Sequence, residues 1–61
     1  MKTLNGRQRQ LFYDKRHKEF LNFEETAAVL NCNKEQMVAA QIGSDIPDEV
    51  YKAVTQWIGE G

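Results

Sequence analysis

The sequence predicts an all-α domain of four or so short helices, and three observations carry that expectation. No stretch of the 61 residues sustains the alternation of apolar and polar side chains that marks a half-buried strand. A capping pattern occurs at Asn22 with Glu25 and again, eleven residues later, at Asn33 with Gln36. In each, the Asn side chain can accept from an early helical N–H while the Glu or Gln reaches back to the Asn N–H. Third, Gly43 and Pro47 fall between apolar clusters rather than inside them, which places a helix end and a helix start there.

Residues 1–6 read as a short flexible arm, with Gly6 as a hinge or start marker. A first helix is expected over residues 7–21, which lack Pro and Gly and are rich in helix formers. Leu11, Phe12 and Tyr13 begin its apolar stripe and Phe20 and Leu21 resume it. Arg16 and His17 interrupt it, so the Arg16 stem should lie on the core with its head in water. Asn22 then caps a helix over 23–30. Asn31-Cys32-Asn33 makes the turn, because Asn takes the left-handed conformation more readily than other non-glycine residues. Asn33 caps a third helix over 34–42, which Gly43 ends. Pro47 opens a fourth over 47–58, with Asp48 and Glu49 favouring its dipole. On it Val50, Val54, Trp57 and Ile58 share one face at i, i+4, i+7 and i+8, and Tyr51 flanks them.

Composition narrows the function classes. At 41% hydrophobic and 28% charged, the chain is ordinary globular material near the lower size limit for folding unaided. A second subunit is a common remedy at this size, so a homodimer is a candidate state. One cysteine excludes an internal disulfide, and Cys32 with His17 cannot make a four-ligand zinc site. No apolar run is long enough to span a bilayer, and the first residues lack the apolar stretch of a signal peptide. A cytoplasmic protein with no membrane partner is expected. Met1 at the start and Gly59 closing the last helix suggest a whole protein rather than a fragment.

The net charge of −1 hides an asymmetry. Residues 1–23 carry six cations against two carboxylates, or +4; residues 24–61 carry two against seven, or −5. Attraction to a polyanion must come mostly from the first third of the chain.

Residues 22–42, two capped helices around a three-residue turn, follow the pattern of a helix-turn-helix. Ala27 is small where the helices cross, Cys32 is apolar in the turn, and Met37 is apolar where the second helix is held. On these residues the segment resembles the helix-turn-helix of Cro- and CII-like phage and prophage regulators and related small repressor domains, over roughly two thirds of the chain. Asn31 stands where the family usually has Gly, and Ala40 where it carries something larger, a space an aromatic such as Trp57 would fill. The Ile46-Pro47 pair and the amphipathic helix ending Trp57-Ile58-Gly59 also resemble the segment after the recognition helix in such regulators.

The resemblance implies a sequence-specific transcriptional regulator, repressor or activator, bound to double-stranded DNA. The third helix would turn Asn33, Lys34, Glu35, Val38, Ala39 and Ile42 toward the major groove, with Gln36 and Gln41 reaching the backbone from its flanks. Lys34 suits guanine or phosphate, Asn33 adenine or phosphate, Glu35 cytosine N4, and Val38 and Ala39 thymine methyls. Arg7, Arg9, Arg16 and Lys18 would hold phosphates. Where the family typically has Arg, Ser, Gln or Asn, this chain has Val38 and Ala39, and Glu24 and Glu25 bring negative charge to a helix start that often approaches phosphate. The alternative is a protein-binding module, an antirepressor or inhibitor of a host factor. It would use Val38, Ala39 and Ile42 as an apolar strip, and the slight excess of acidic residues favours it.

The remaining chemistry-bearing residues have plain structural readings. Lys15-Arg16-His17-Lys18 beside Phe12 and Tyr13 is either a nucleic-acid patch or a solvated helix face anchored by aromatics. His17 is expected as a partly exposed helix residue and Cys32 as a small core residue. Trp57 is expected in the core or a dimer interface. No phosphate loop, nucleophile constellation or metal-ligand spacing occurs, so we expect neither an enzyme nor a cofactor or metal.

Overall fold

A computed structural model describes residues 1–59. Four helices follow one another: α1 (Gly6–Lys18), α2 (Phe23–Leu30), α3 (Lys34–Ile42) and α4 (Asp48–Trp57). α2 packs chiefly against α3, with α1 against α3 and α4 against α2. The core they enclose is Leu4, Phe12, Ala27, Met37, Ala40, Ile46, Val50 and Val54.

The starts of α2 and α3 form as the pattern predicts. Asn22 Oδ1 accepts from Glu25 N at 2.8 Å while Asn22 N donates to Glu25 Oε1 at 3.0 Å. Asn33 and Gln36 repeat the exchange at 2.9 and 3.1 Å. A third box begins α1: Asn5 Oδ1 accepts from Gln8 N at 2.8 Å, and Asn5 N donates to Gln8 Oε1. This Asn-x-x-Gln signal matches the one at Asn33 and sets the start of α1 at Gly6.

Three helix ends share one device. Asn31 (φ 58°), Gly43 (φ 81°) and Phe20 (φ 57°) each take the left-handed conformation just beyond a helix. The next residue's N–H then reaches back five positions: Cys32 N to Ala27 O at 2.8 Å, Ser44 N to Ala39 O at 2.9 Å, Leu21 N to Arg16 O at 2.9 Å. These bonds satisfy carbonyls that the helix leaves open.

The expected boundaries at the amino terminus need correction. Residues 1–6 are not a free arm. Lys2 N donates to Ile46 O at 2.9 Å and Ile46 N to Lys2 O at 2.8 Å, a single antiparallel bridge. That bridge lowers Leu4 into the core at 1% exposure. Burial of the leucine side chain contributes about 1.5–3 kcal/mol toward ordering the segment, alongside the two backbone bonds of the bridge. The first helix also stops at Lys18, not at residue 21. The left-handed turn at Phe20 swings that ring out of the apolar stripe it was expected to resume, leaving it 90% exposed.

On α1 the buried row is Gln8, Phe12 and Arg16, successive i, i+4 positions. Gln8 Nε2 donates to the Tyr51 hydroxyl at 3.3 Å, tying α1 to α4. The expected face of α4 splits by depth: Val50 and Val54 are buried, whereas Trp57 and Ile58 are half-buried at the margin. Trp57 meets Phe12 edge-to-face with ring centroids 5.9 Å apart, a favoured aromatic geometry.

Candidate nucleic-acid interface

α3 is presented by its neighbours rather than enclosed by them. Met37 and Ala40 bury its inner side, while Asn33, Lys34, Glu35 and Ile42 are exposed and Val38 is half-buried. Glu35, Val38 and Ile42 succeed one another at i, i+3 and i+7, so they share the outer face, with Lys34 beside them. The surface thus carries one cation, one carboxylate and a short apolar strip ending in Ile42 at 68% exposure.

The remaining residues expected on this surface are engaged elsewhere. Gln36 uses its amide oxygen in the cap of its own helix. Ala39 packs against the core. Gln41 turns toward α1: its Nε2 donates to Arg9 O at 3.1 Å, and its Oε1 accepts from Arg16 Nη2 at 2.7 Å. Gln41 therefore fixes the angle between α1 and α3, and its amide is committed to that contact.

The four cations expected to hold phosphate also divide. Arg16 is only 9% exposed. Its guanidinium lies 4.3 Å from the Phe23 ring centroid and 5.2 Å from that of Phe12, and its Nε is sealed from solvent without an acceptor. The head was expected in water; instead the i, i+4 step from Phe12 carries it inward. Burial pulls its pKa below the ordinary arginine value, with a small opposing effect from Tyr13, yet an arginine stays charged at neutral pH. Arg9 folds back on the chain, its Nη1 donating to Leu4 O at 2.8 Å. The same Nη1 would lie 2.8 Å from a Cβ at Gly43, so the guanidinium rests on that glycine. Arg7 and Lys18 stay exposed on α1.

Lys34 Nζ is 3.7 Å from Glu24 Oε1, both side chains being more than half exposed, a pair worth little in water. Lys15 pairs with Glu19 at 3.3 Å and lies 5.1 Å over the Trp57 ring. His17 is exposed and meets the Tyr13 ring at 4.7 Å. Cys32 is half-buried in the turn, its Sγ donating to Leu30 O at 3.3 Å. Burial, and then the charge of Glu49, raise its pKa and keep it a thiol. Among the described residues no three His, Cys, Asp or Glu gather into a group able to hold a metal, and no helix is long and apolar enough to cross a membrane.

The Arg16–Gln41 and Arg9–Leu4 contacts escaped sequence reasoning. Only the Gln8, Phe12, Arg16 row hinted at the first. Comparison with protein-family models, with curated proteins and with solved structures gives no match.

Proposed function

We propose that the protein is a small, non-enzymatic, sequence-specific DNA-binding regulator of the phage repressor type, acting in the cytoplasm. In this reading α3 enters the major groove of double-stranded DNA. The observation that carries the reading is the α2–turn–α3 unit, closed at each joint by caps and back-bonded turns, with the outer face of α3 uncovered. On that face Lys34 and Glu35 supply a cation and an acceptor near the amino end of the helix, where base edges are read, while the Asn33 carboxamide oxygen is held in the helix cap. Val38 and Ile42 supply apolar contact for thymine methyls. With Arg9 and Arg16 committed to the fold, phosphate contacts fall to Arg7, Lys18 and Lys34. So few contacts favour two copies on a two-fold site.

A second reading keeps the same face and changes the partner. Ile42, 68% exposed and in line with Val38, suits insertion into an apolar groove of another protein, while the Glu24 carboxylate beside Lys34 weakens attraction to phosphate. One experiment separates the two: selection from a random duplex library, repeated with variants. On the DNA reading, Lys34→Ala and Glu35→Ala change the preferred bases by about 1–3 kcal/mol at the affected pair. If no sequence is enriched, and Ile42→Asp alone abolishes function in cells, the protein partner is the correct one.

A further inference from the structure

Residues 1–4 lie against the segment that joins α3 to α4 and are held there by a few contacts. Lys2 exchanges two backbone hydrogen bonds with Ile46. Leu4 places its side chain in the core. Leu4 O accepts from Arg9 Nη1 at 2.8 Å, and the Lys2 ammonium stands 4.9 Å over the Tyr51 ring. Met1, Lys2 and Thr3 are exposed. Fixing four residues in one backbone conformation costs about as much free energy as one buried leucine and a few hydrogen bonds return. The segment is therefore poised near balance. α1 behind it is not, because the Asn5–Gln8 box closes the start of that helix from its own residues.

The segment also reaches α3. The Arg9 guanidinium that donates to Leu4 O rests on Gly43, the residue that ends α3. The joint between α3 and α4 is thus held from the amino terminus at two points, at Gly43 through Arg9 and at Ile46 directly. Between them Ser44 N donates to Ala39 O and closes the last turn of α3.

We propose that residues 1–4 form a strap that opens as a unit without global unfolding, pivoting at Asn5, and that its opening frees the carboxyl-terminal end of α3 through Arg9. Any event that captures the amino terminus then reaches the end of α3 that carries the exposed Ile42. A consequence for DNA rests on α3 being the reading helix; the strap is tested without DNA, so the two can fail separately. The measurement is amide hydrogen exchange of the full chain by NMR, at urea concentrations up to about 1 M. The Ile46 amide, whose acceptor is Lys2 O, should exchange at least about tenfold faster than the amide of the buried Met37. Its rate should depend little on urea, since opening four residues exposes little surface, whereas the Met37 rate should climb steeply as for unfolding of the whole domain. The Ser44 amide should follow Ile46. Arg9→Met keeps the stem and removes the donor to Leu4 O, and both Ile46 and Ser44 should then exchange about tenfold faster, the loss of one charge-assisted hydrogen bond. Equal rates and equal urea dependence at Ile46 and Met37 would show that the segment leaves only with the whole fold, and would overturn the proposal. A Ser44 amide that tracks Met37, or is unmoved by Arg9→Met, would overturn the link to α3.

Discussion

Replacing Phe20 with glycine should stabilise the protein, although it deletes the largest kind of apolar side chain the core uses. The left-handed conformation at φ 57° costs an L-residue about 1–2 kcal/mol and a glycine nothing. Against this, glycine gives the unfolded chain more freedom, a loss of about 0.5–1 kcal/mol. At 90% exposure the ring forfeits only about a tenth of a full burial, or roughly 0.2 kcal/mol. The balance is a gain of about 0.5 kcal/mol, which in a domain this small raises the thermal midpoint by about 2–4 °C. Phe20→Ala is the control. It keeps the Cβ and therefore the strain, and should melt within about 1 °C of the parent. Thermal melts followed by circular dichroism at 222 nm measure both. A glycine variant that melts lower than the parent, or no higher than the alanine variant, would refute the claim that α1 ends at a strained residue.

Trp57→Ala should cost about 2 kcal/mol in urea unfolding, below the 3–5 of a fully buried tryptophan, because the ring is half-buried and its loss is mainly the edge-to-face contact with Phe12. Arg16→Ala should cost about 2–4 kcal/mol, since it strips packing from Phe23 and leaves Gln41 Oε1 without its donor. Arg16→Met, which keeps the stem and removes the desolvated charge, should cost about half as much; equal costs would show that the stem does not pack. The raised pKa of Cys32 means that the fold holds the neutral thiol while the unfolded chain ionises first. Its contribution to stability is therefore complete below the unfolded value of about 8.5 and is lost as pH rises beyond it. Unfolding free energies of parent and Cys32→Ala between pH 7 and about 10 should diverge in slope, the parent falling more steeply.

The middle of the chain was legible because its signals are local. The boundaries of α2 and α3 follow from Asn22, Asn33, Asn31 and Gly43, residues whose effect is spent within four positions of themselves. The same logic extends to Asn5 and Gln8, so the start of α1 was equally available. What sequence could not supply was contact between distant segments. The bridge from Lys2 to Ile46 spans most of the chain and converts an apparent arm into a core element. Arg9 and Arg16 look like solvated cations in a helix of poor amphipathicity. The folding-back of Arg9 and the burial of Arg16 depend on Leu4 O, Gly43 and Gln41, which only the packed structure brings near. Phe20 misled for a local reason: an aromatic in the left-handed conformation has no sequence signature, and spacing alone put it on the stripe.

The central claim, that α3 and the exposed cations of α1 engage DNA, is tested most directly by the salt dependence of binding. Fluorescence anisotropy of the full chain on a random-sequence duplex, between about 50 and 200 mM salt, gives the slope of log K against log salt. With Arg16 buried, Arg9 bonded back to Leu4 O and Arg7, Lys18 and Lys34 exposed, the proposal assigns about three phosphate contacts to each copy, and the predicted slope is about −2.7 per bound copy. Lys18→Ala should reduce it by about 1. Binding that is absent at the lower salt, or present with no slope, would contradict the account.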